Sequence, residues 1–148
     1  MGSISREHLD LFVGARADQY EPVWAKLESG QLAWNWFAFF FGPFWFVYRK
    51  MYLYAFGLTS LSAISGITFD ALKLPVLDII LNIGLLVAVG VWANSLYYNY
   101  SRGQIAAIEA KYPDSEREAR LSRRGGTNPV AVALIVLVFA VWASFGSG

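Results

Sequence analysis

The sequence predicts an all-α membrane protein with three transmembrane helices, an aromatic re-entrant or interfacial helical segment and short amphipathic cytoplasmic helices. Hydrophobic residues make up 56% of the 148 positions, a balance poorly suited to solvent exposure in a chain of single-domain length. Residues 51–69, 76–98 and 129–145 are largely apolar and approach the roughly 20 residues that a helix needs to cross lipid. Residues 34–48, WNWFAFFFGPFWFVY, carry ten aromatic rings in fifteen positions, a density suited to the headgroup level of a bilayer.

Composition also narrows the chemistry. A net charge of +1 argues neither for a nucleic-acid surface nor for a strongly acidic partner. Cysteine is absent, which removes disulfides, thiolate metal sites and cysteine nucleophiles. His8 is the only histidine, the glycines form no phosphate-cradling loop, and no two carboxylates are predictably juxtaposed. No catalytic, metal-binding or cofactor-binding residue is therefore assigned, and the protein is not expected to be an enzyme. Residues 3–17 include Arg6, Glu7, His8, Asp10 and Arg16, so no cleavable signal is expected and insertion falls to the internal segments.

The polar segment 1–33 contains one arguable helix. Asp18 and Glu21 resemble a capping pair, Pro22 falls in the first turn, and Gly30 supplies a left-handed stop. Tyr20, Trp24 and Leu27 share a face that packs on the protein's own bundle. Before it, Leu9, Leu11 and Val13 alternate, over too short a run to define a strand.

The aromatic segment 34–50 is too short to cross a core of about 30 Å and is broken at Gly42-Pro43. Pro43 is expected in the first turn of a helix running through Arg49 and Lys50 into the next segment. Trp34, Trp36, Trp45, Tyr48, Arg49 and Lys50 are expected to contact lipid at the interface, with the two cations in reach of phosphates. Ala55, Thr59, Ser62, Ala63 and Gly66 then form a small-residue seam for helix packing. The short turn at Asp70, Lys73 and Pro75 forces a hairpin with 76–98.

Asp78, Asn82 and Asn94 are the candidate intramembrane polar residues. Asp78 lies three residues past Pro75, within reach of water or Lys73, which favours a structural role over proton or ion handling. Gly84 with Ala88, and Gly90 with Asn94, offer further close approaches. Tyr97, Tyr98 and Tyr100 mark a second aromatic belt. The basic loop 99–128 has six cations against four acids. Ile105, Ile108 and Tyr112 share a face, which lets the second crossing continue outward until Pro113. Ser115 with Glu118 reads as a capping box for a short helix ending at Gly125-Gly126. The interleaved acids argue against nucleic acid, whereas attraction to anionic lipid is compatible with them. Asn128 and Pro129 read as N-cap and first position of the third crossing, whose seam is Ala133, Ala140 and Ser144.

Charge asymmetry places 99–128 in the cytoplasm and the Lys73 turn outside. A re-entrant aromatic segment then puts the N-terminus inside and the C-terminus outside, whereas a crossing at 34–48 moves the N-terminus outside.

Three stretches carry a family resemblance: WNWFAFFFGPFWFVYRKMYLYAFG at Trp34–Gly57, FVGARADQY at Phe12–Tyr20, and NSLYYNYSRGQIAAI at Asn94–Ile108. On these the chain resembles the small bacterial membrane proteins of domain-of-unknown-function family 2628. The resemblance implies helical architecture and a bacterial inner-membrane setting, and it implies no activity or functional residue.

The expected role is a non-enzymatic accessory or scaffold subunit in the lipid bilayer, bound to a membrane-protein partner or to copies of itself through the small-residue seams. The alternative is an oligomeric transporter or channel component lined by Asp78, Asn82 and Asn94. Against it, Asn82 and Asn94 are about a third of a turn out of register at 100° per residue. Lipid sensing by the aromatic segment with Arg49 and Lys50 overlaps the first reading.

Overall fold

The structure is a computed structural model that describes residues 4–146; Met1–Ser3 and the Ser147-Gly148 end, where no further element is expected, lie outside the described residues. Its elements are α1 (Arg6–Val13), α2 (Ala17–Glu28), α3 (Trp36–Phe41), α4 (Pro43–Tyr48), α5 (Tyr52–Ala71), α6 (Pro75–Lys111), α7 (Asp114–Arg124) and α8 (Pro129–Gly146). No strand occurs among the described residues.

The spine is α6. Pro75 sits in its first turn, and the chain leaves helical geometry at Tyr112, the residue before Pro113. Its 37 residues extend about 55 Å at 1.5 Å per residue. The second apolar segment, expected over 76–98, is thus one end of a longer rod.

Around the polar end of α6, α1, α2 and α7 form a helical cap. Phe12, Trp24, Tyr97, Ile105 and Leu121 are its fully buried centre. The apparent alternation at Leu9, Leu11 and Val13 is a helix, because Leu9, Phe12 and Val13 make the buried stripe at spacings of three and four, and Ser5 Oγ caps it from the His8 N–H at 3.1 Å. α2 starts at Ala17 without a side-chain cap, so Asp18 lies inside its first turn. Ser115 likewise does not cap α7, whose N-cap is Pro113. There Arg117 reaches back to the Tyr112 and Glu109 carbonyls at 2.9 and 2.7 Å, satisfying groups at the end of α6. His8, the only histidine, lies 2.5 Å from the Glu109 carboxylate.

α5 runs antiparallel to α6 through the 72–74 turn. α8 starts beside them, with Asn128 Oδ1 accepting from the Ala131 N–H at 3.0 Å and Asn128 Nδ2 donating to the Tyr52 hydroxyl at 2.9 Å. Among the described residues, three helical segments are long and apolar enough to cross a membrane, and they include α5, α6 and the apolar run of α8.

α3 and α4 form a hairpin against α6. Its entry is tied near Asn94, its tip at Gly42 faces Leu86, and Trp45 returns to within 6.0 Å of Tyr97. The eight positions from Asn94 to Leu86 correspond to a descent of about 12 Å. Gly42 has φ +47, and a Cβ there would lie 3.3 Å from Leu86 Cδ2, so glycine suits this close turn.

The helix expected to run from Pro43 through Lys50 stops at Tyr48. Lys50 is left-handed at φ +59, with the Lys50 N–H donating to Val47 O and the Met51 N–H to Phe46 O at 3.0 and 2.8 Å. This Schellman closure separates α4 from α5. Lys73, also at φ +59, ends α5 in the same way through Phe69 and Asp70 carbonyls.

Candidate functional site

The polar side chains singled out in the apolar elements fall into three separate groups. The first joins the α3–α4 hairpin to α6. Asn35 caps α3, its Oδ1 accepting from the Ala38 N–H at 2.8 Å, while its Nδ2 donates to Asn94 Oδ1 at 2.8 Å. Asn94 Nδ2 donates to Ala33 O at 3.1 Å, and the Asn35 N–H donates to Gly90 O at 2.7 Å. A Cβ on Gly90 would lie 2.8 Å from the Trp34 ring, so glycine permits this contact. Asn94 is therefore committed to anchoring the hairpin. Asn35 was not singled out in the sequence, although an asparagine just before an apolar helical run is an N-cap signal.

The second group lies toward the other end of α6. Ser65 Oγ is 2.6 Å from Asp78 Oδ1, to which Asn82 Nδ2 also donates at 2.9 Å. Asp78 thus pairs with its own helix and α5 rather than with Lys73. Asn82 and Asn94 form no joint stripe. The expected α5 seam is displaced: Ala55 and Ser65 are buried and Ser62 and Gly66 partly buried, whereas Thr59 and Ala63 are exposed. Helical rotation brings Ser65 inward in their place. Nothing lies within 4 Å of a Cβ built on Gly84, and Ala88 is half-buried. Ala133, Ala140 and Ser144 are exposed on α8.

Since Asn at position 78 keeps an oxygen to accept from Ser65 and Asn82, Asp78→Asn is expected to change the apparent melting temperature in detergent little. Asp78→Leu removes that oxygen, leaving Ser65 Oγ the Ser62 carbonyl at 2.9 Å and Asn82 Nδ2 the backbone carbonyl of residue 78 at 2.9 Å, and should cost about 0.5–1.5 kcal/mol. Equal melting of the two variants would remove the structural role assigned to this cluster.

The third group centres on Arg49. The open interfacial position expected of Arg49, Lys50 and Trp45 is corrected by the fold. Trp45 is buried, and Lys50 Nζ turns inward to the Arg123 and Gly125 carbonyls at 3.1 and 2.5 Å. Trp34 and Trp36 are exposed, and Tyr48 is partly buried. Arg49 is only 3% exposed, with its guanidinium 4.6 Å from the Tyr20 ring centroid and 4.9 Å from that of Tyr97. No carboxylate pairs with it among the described residues, and its Nε and Nη1 have no hydrogen-bond partner.

Burying a cation costs several kcal/mol, and each ring face returns roughly 0.5–2 kcal/mol. Aromatic contact therefore offsets part of the burial, while two donors stay unmade. Burial pushes the Tyr20 phenol above its ordinary range, against the opposing pull of the Arg49 charge. At neutral pH Tyr20 is a neutral ring face and supplies no counter-ion.

Arg49 lines a cavity of about 530 Å³ between α2, the hairpin, α6 and α8. Arg16 and Gln19 line it too, and Phe37, Phe41 and Phe44 give it an apolar wall. This volume lies within the usual range of small-molecule sites.

A family model described as "Protein of unknown function (DUF2628)" matches residues 14–102. No curated protein and no solved structure matches the chain.

Proposed function

We propose that this chain, which belongs to the DUF2628 family, is a multi-pass protein of a bacterial inner membrane that acts as a non-enzymatic accessory or interaction subunit. The observation that carries the reading is α8. It is apolar but for Ser144, and only Ala131, Val132 and Ile135 are partly buried among its described side chains. Trp142 and Phe145 are 73% and 84% exposed. The partly buried side chains of α8 lie in its first turns, and the exposed apolar surface beyond them is one that lipid or neighbouring helices cover.

Charge supports the orientation. Of 12 Lys and Arg residues, eleven belong to the cap or to the hairpin end beside it, and Lys73 alone lies at the opposite turn. This favours a cytoplasmic cap containing 4–33 and 99–128. The hairpin's descent of about 12 Å, with entry and exit at one level, supports a re-entrant segment over a crossing of about 30 Å. In that setting the cap helices are the docking surfaces.

The alternative, an oligomeric transporter or channel component using Asp78, Asn82 and Asn94, requires a pathway formed between copies. A mild-detergent pull-down from native membranes with mass determination separates the readings. Stoichiometric recovery of a larger complex is expected. Recovery of the chain alone as a monomer would sink the interaction role, and a defined homo-oligomer would favour the alternative.

A further inference from the structure

We infer that the Arg49 cavity is a binding site for the headgroup phosphate of an anionic phospholipid, whose chain lies along Phe37, Phe41 and Phe44. Three features point to this occupant. Arg49 is almost fully buried, lines the cavity and has no carboxylate partner among the described residues. Its Nε and Nη1 have no hydrogen-bond partner and are closed to solvent, so the guanidinium fork meets a phosphate by turning toward the cavity. Arg16 supplies a second guanidinium, and no Asp or Glu lines the cavity. The site therefore complements a net negative headgroup and holds no carboxylate for the ammonium of a zwitterionic one.

The cavity also changes character along its length. Its polar end, with Arg16, Gln19 and Arg49, adjoins the cap, whereas Phe37 and Phe41 lie on α3 leading to the hairpin tip. Phe37 and Phe41 are themselves exposed, which gives an acyl chain a continuous apolar path out of the cavity. A free anion would leave that wall unused. The cavity is thus suited to one charged group joined to an apolar chain.

The inference rests on the membrane setting proposed above, which alkaline carbonate extraction of native membranes tests separately. Release of the chain by carbonate would sink that setting, while the lipid preference is measured independently. The full chain is incorporated into bilayers of equal parts phosphatidylglycerol and phosphatidylcholine, extracted into mild detergent and washed, and the retained lipid is counted by native mass spectrometry. Wild type is expected to retain phosphatidylglycerol over phosphatidylcholine by about tenfold, because both offer a phosphate but only phosphatidylcholine carries an ammonium, which the two guanidinium groups repel. Arg49→Gln should bring the ratio near one, and Arg16→Gln should lower it in part.

Equal retention of the two lipids by wild type overturns the site. So does an unchanged ratio in a folded Arg49→Gln variant. If Arg49→Gln loses its thermal transition, Arg16→Gln decides: Arg16 is exposed, and an unchanged ratio there overturns the inference. Inorganic phosphate is added to delipidated protein as the second arm. A thermal shift equal to that of phosphatidylglycerol would assign the cavity to a free anion and overturn the lipid.

Discussion

Gly125→Ala is expected to detach α1 from the cap and lower stability by about 2–4 kcal/mol, the sum of an overpacked contact and a lost hydrogen bond. A Cβ on Gly125 would lie 1.9 Å from Phe12 O and 2.7 Å from Phe12 C. Both are backbone atoms, so no rotamer change relieves the clash. The neighbouring Gly126 N–H donates to the same Phe12 oxygen at 2.7 Å, and moving α1 away breaks that bond. Phe12, Val13 and Leu9 would then lose their burial against α6 and α7. Gly103→Ala is the control: it lies inside α6 with nothing within 4 Å of a Cβ, and alanine there should be stabilising by about 0.5–1 kcal/mol. Apparent melting in detergent, together with proteolysis of the 4–30 segment, reads both variants. A Gly125→Ala protein that melts with wild type and resists the protease would refute the close approach.

Much of this architecture is legible because it depends on local signals. Hydropathy marks the three apolar segments, Gly42-Pro43 marks the hairpin tip, and Asn128-Pro129 marks the start of α8. What escapes the sequence depends on distant partners. Lys50 takes a left-handed conformation usually given to glycine or asparagine, and its Nζ is held by carbonyls more than seventy positions away. Gly125 reads as a helix stop, yet its contact is with Phe12 near the other end of the chain. Arg49 reads as an interfacial cation because Arg-Lys follows an aromatic run. Its burial comes from Tyr20 on α2 and Tyr97 on α6, which no local pattern connects. The Arg49 residue was therefore visible in the sequence, whereas the enclosure that gives it chemical interest was not.

Asn94→Leu should cost about 2–4 kcal/mol and loosen the hairpin, because it leaves Asn35 Nδ2 and Ala33 O unmade in a buried site, each at about 1–3 kcal/mol. Leucine is of similar size, so the loss is chiefly of hydrogen bonding. The partner change Asn35→Leu should cost at least as much, since it also removes the cap on the Ala38 N–H. Combining them removes both side-chain partners at once, and the double variant should lose about 1–2 kcal/mol less than the sum. Tryptophan emission reports the same event, as Trp34 packs against Gly90 one turn from Asn94. A conduit residue predicts a different pattern: Asn94→Leu would alter flux while melting and emission stayed at wild-type values, and the two asparagines would act additively. Coupling between them, with a shifted emission, is what an anchor requires, and it would leave Asn94 unavailable to a pathway through the protein.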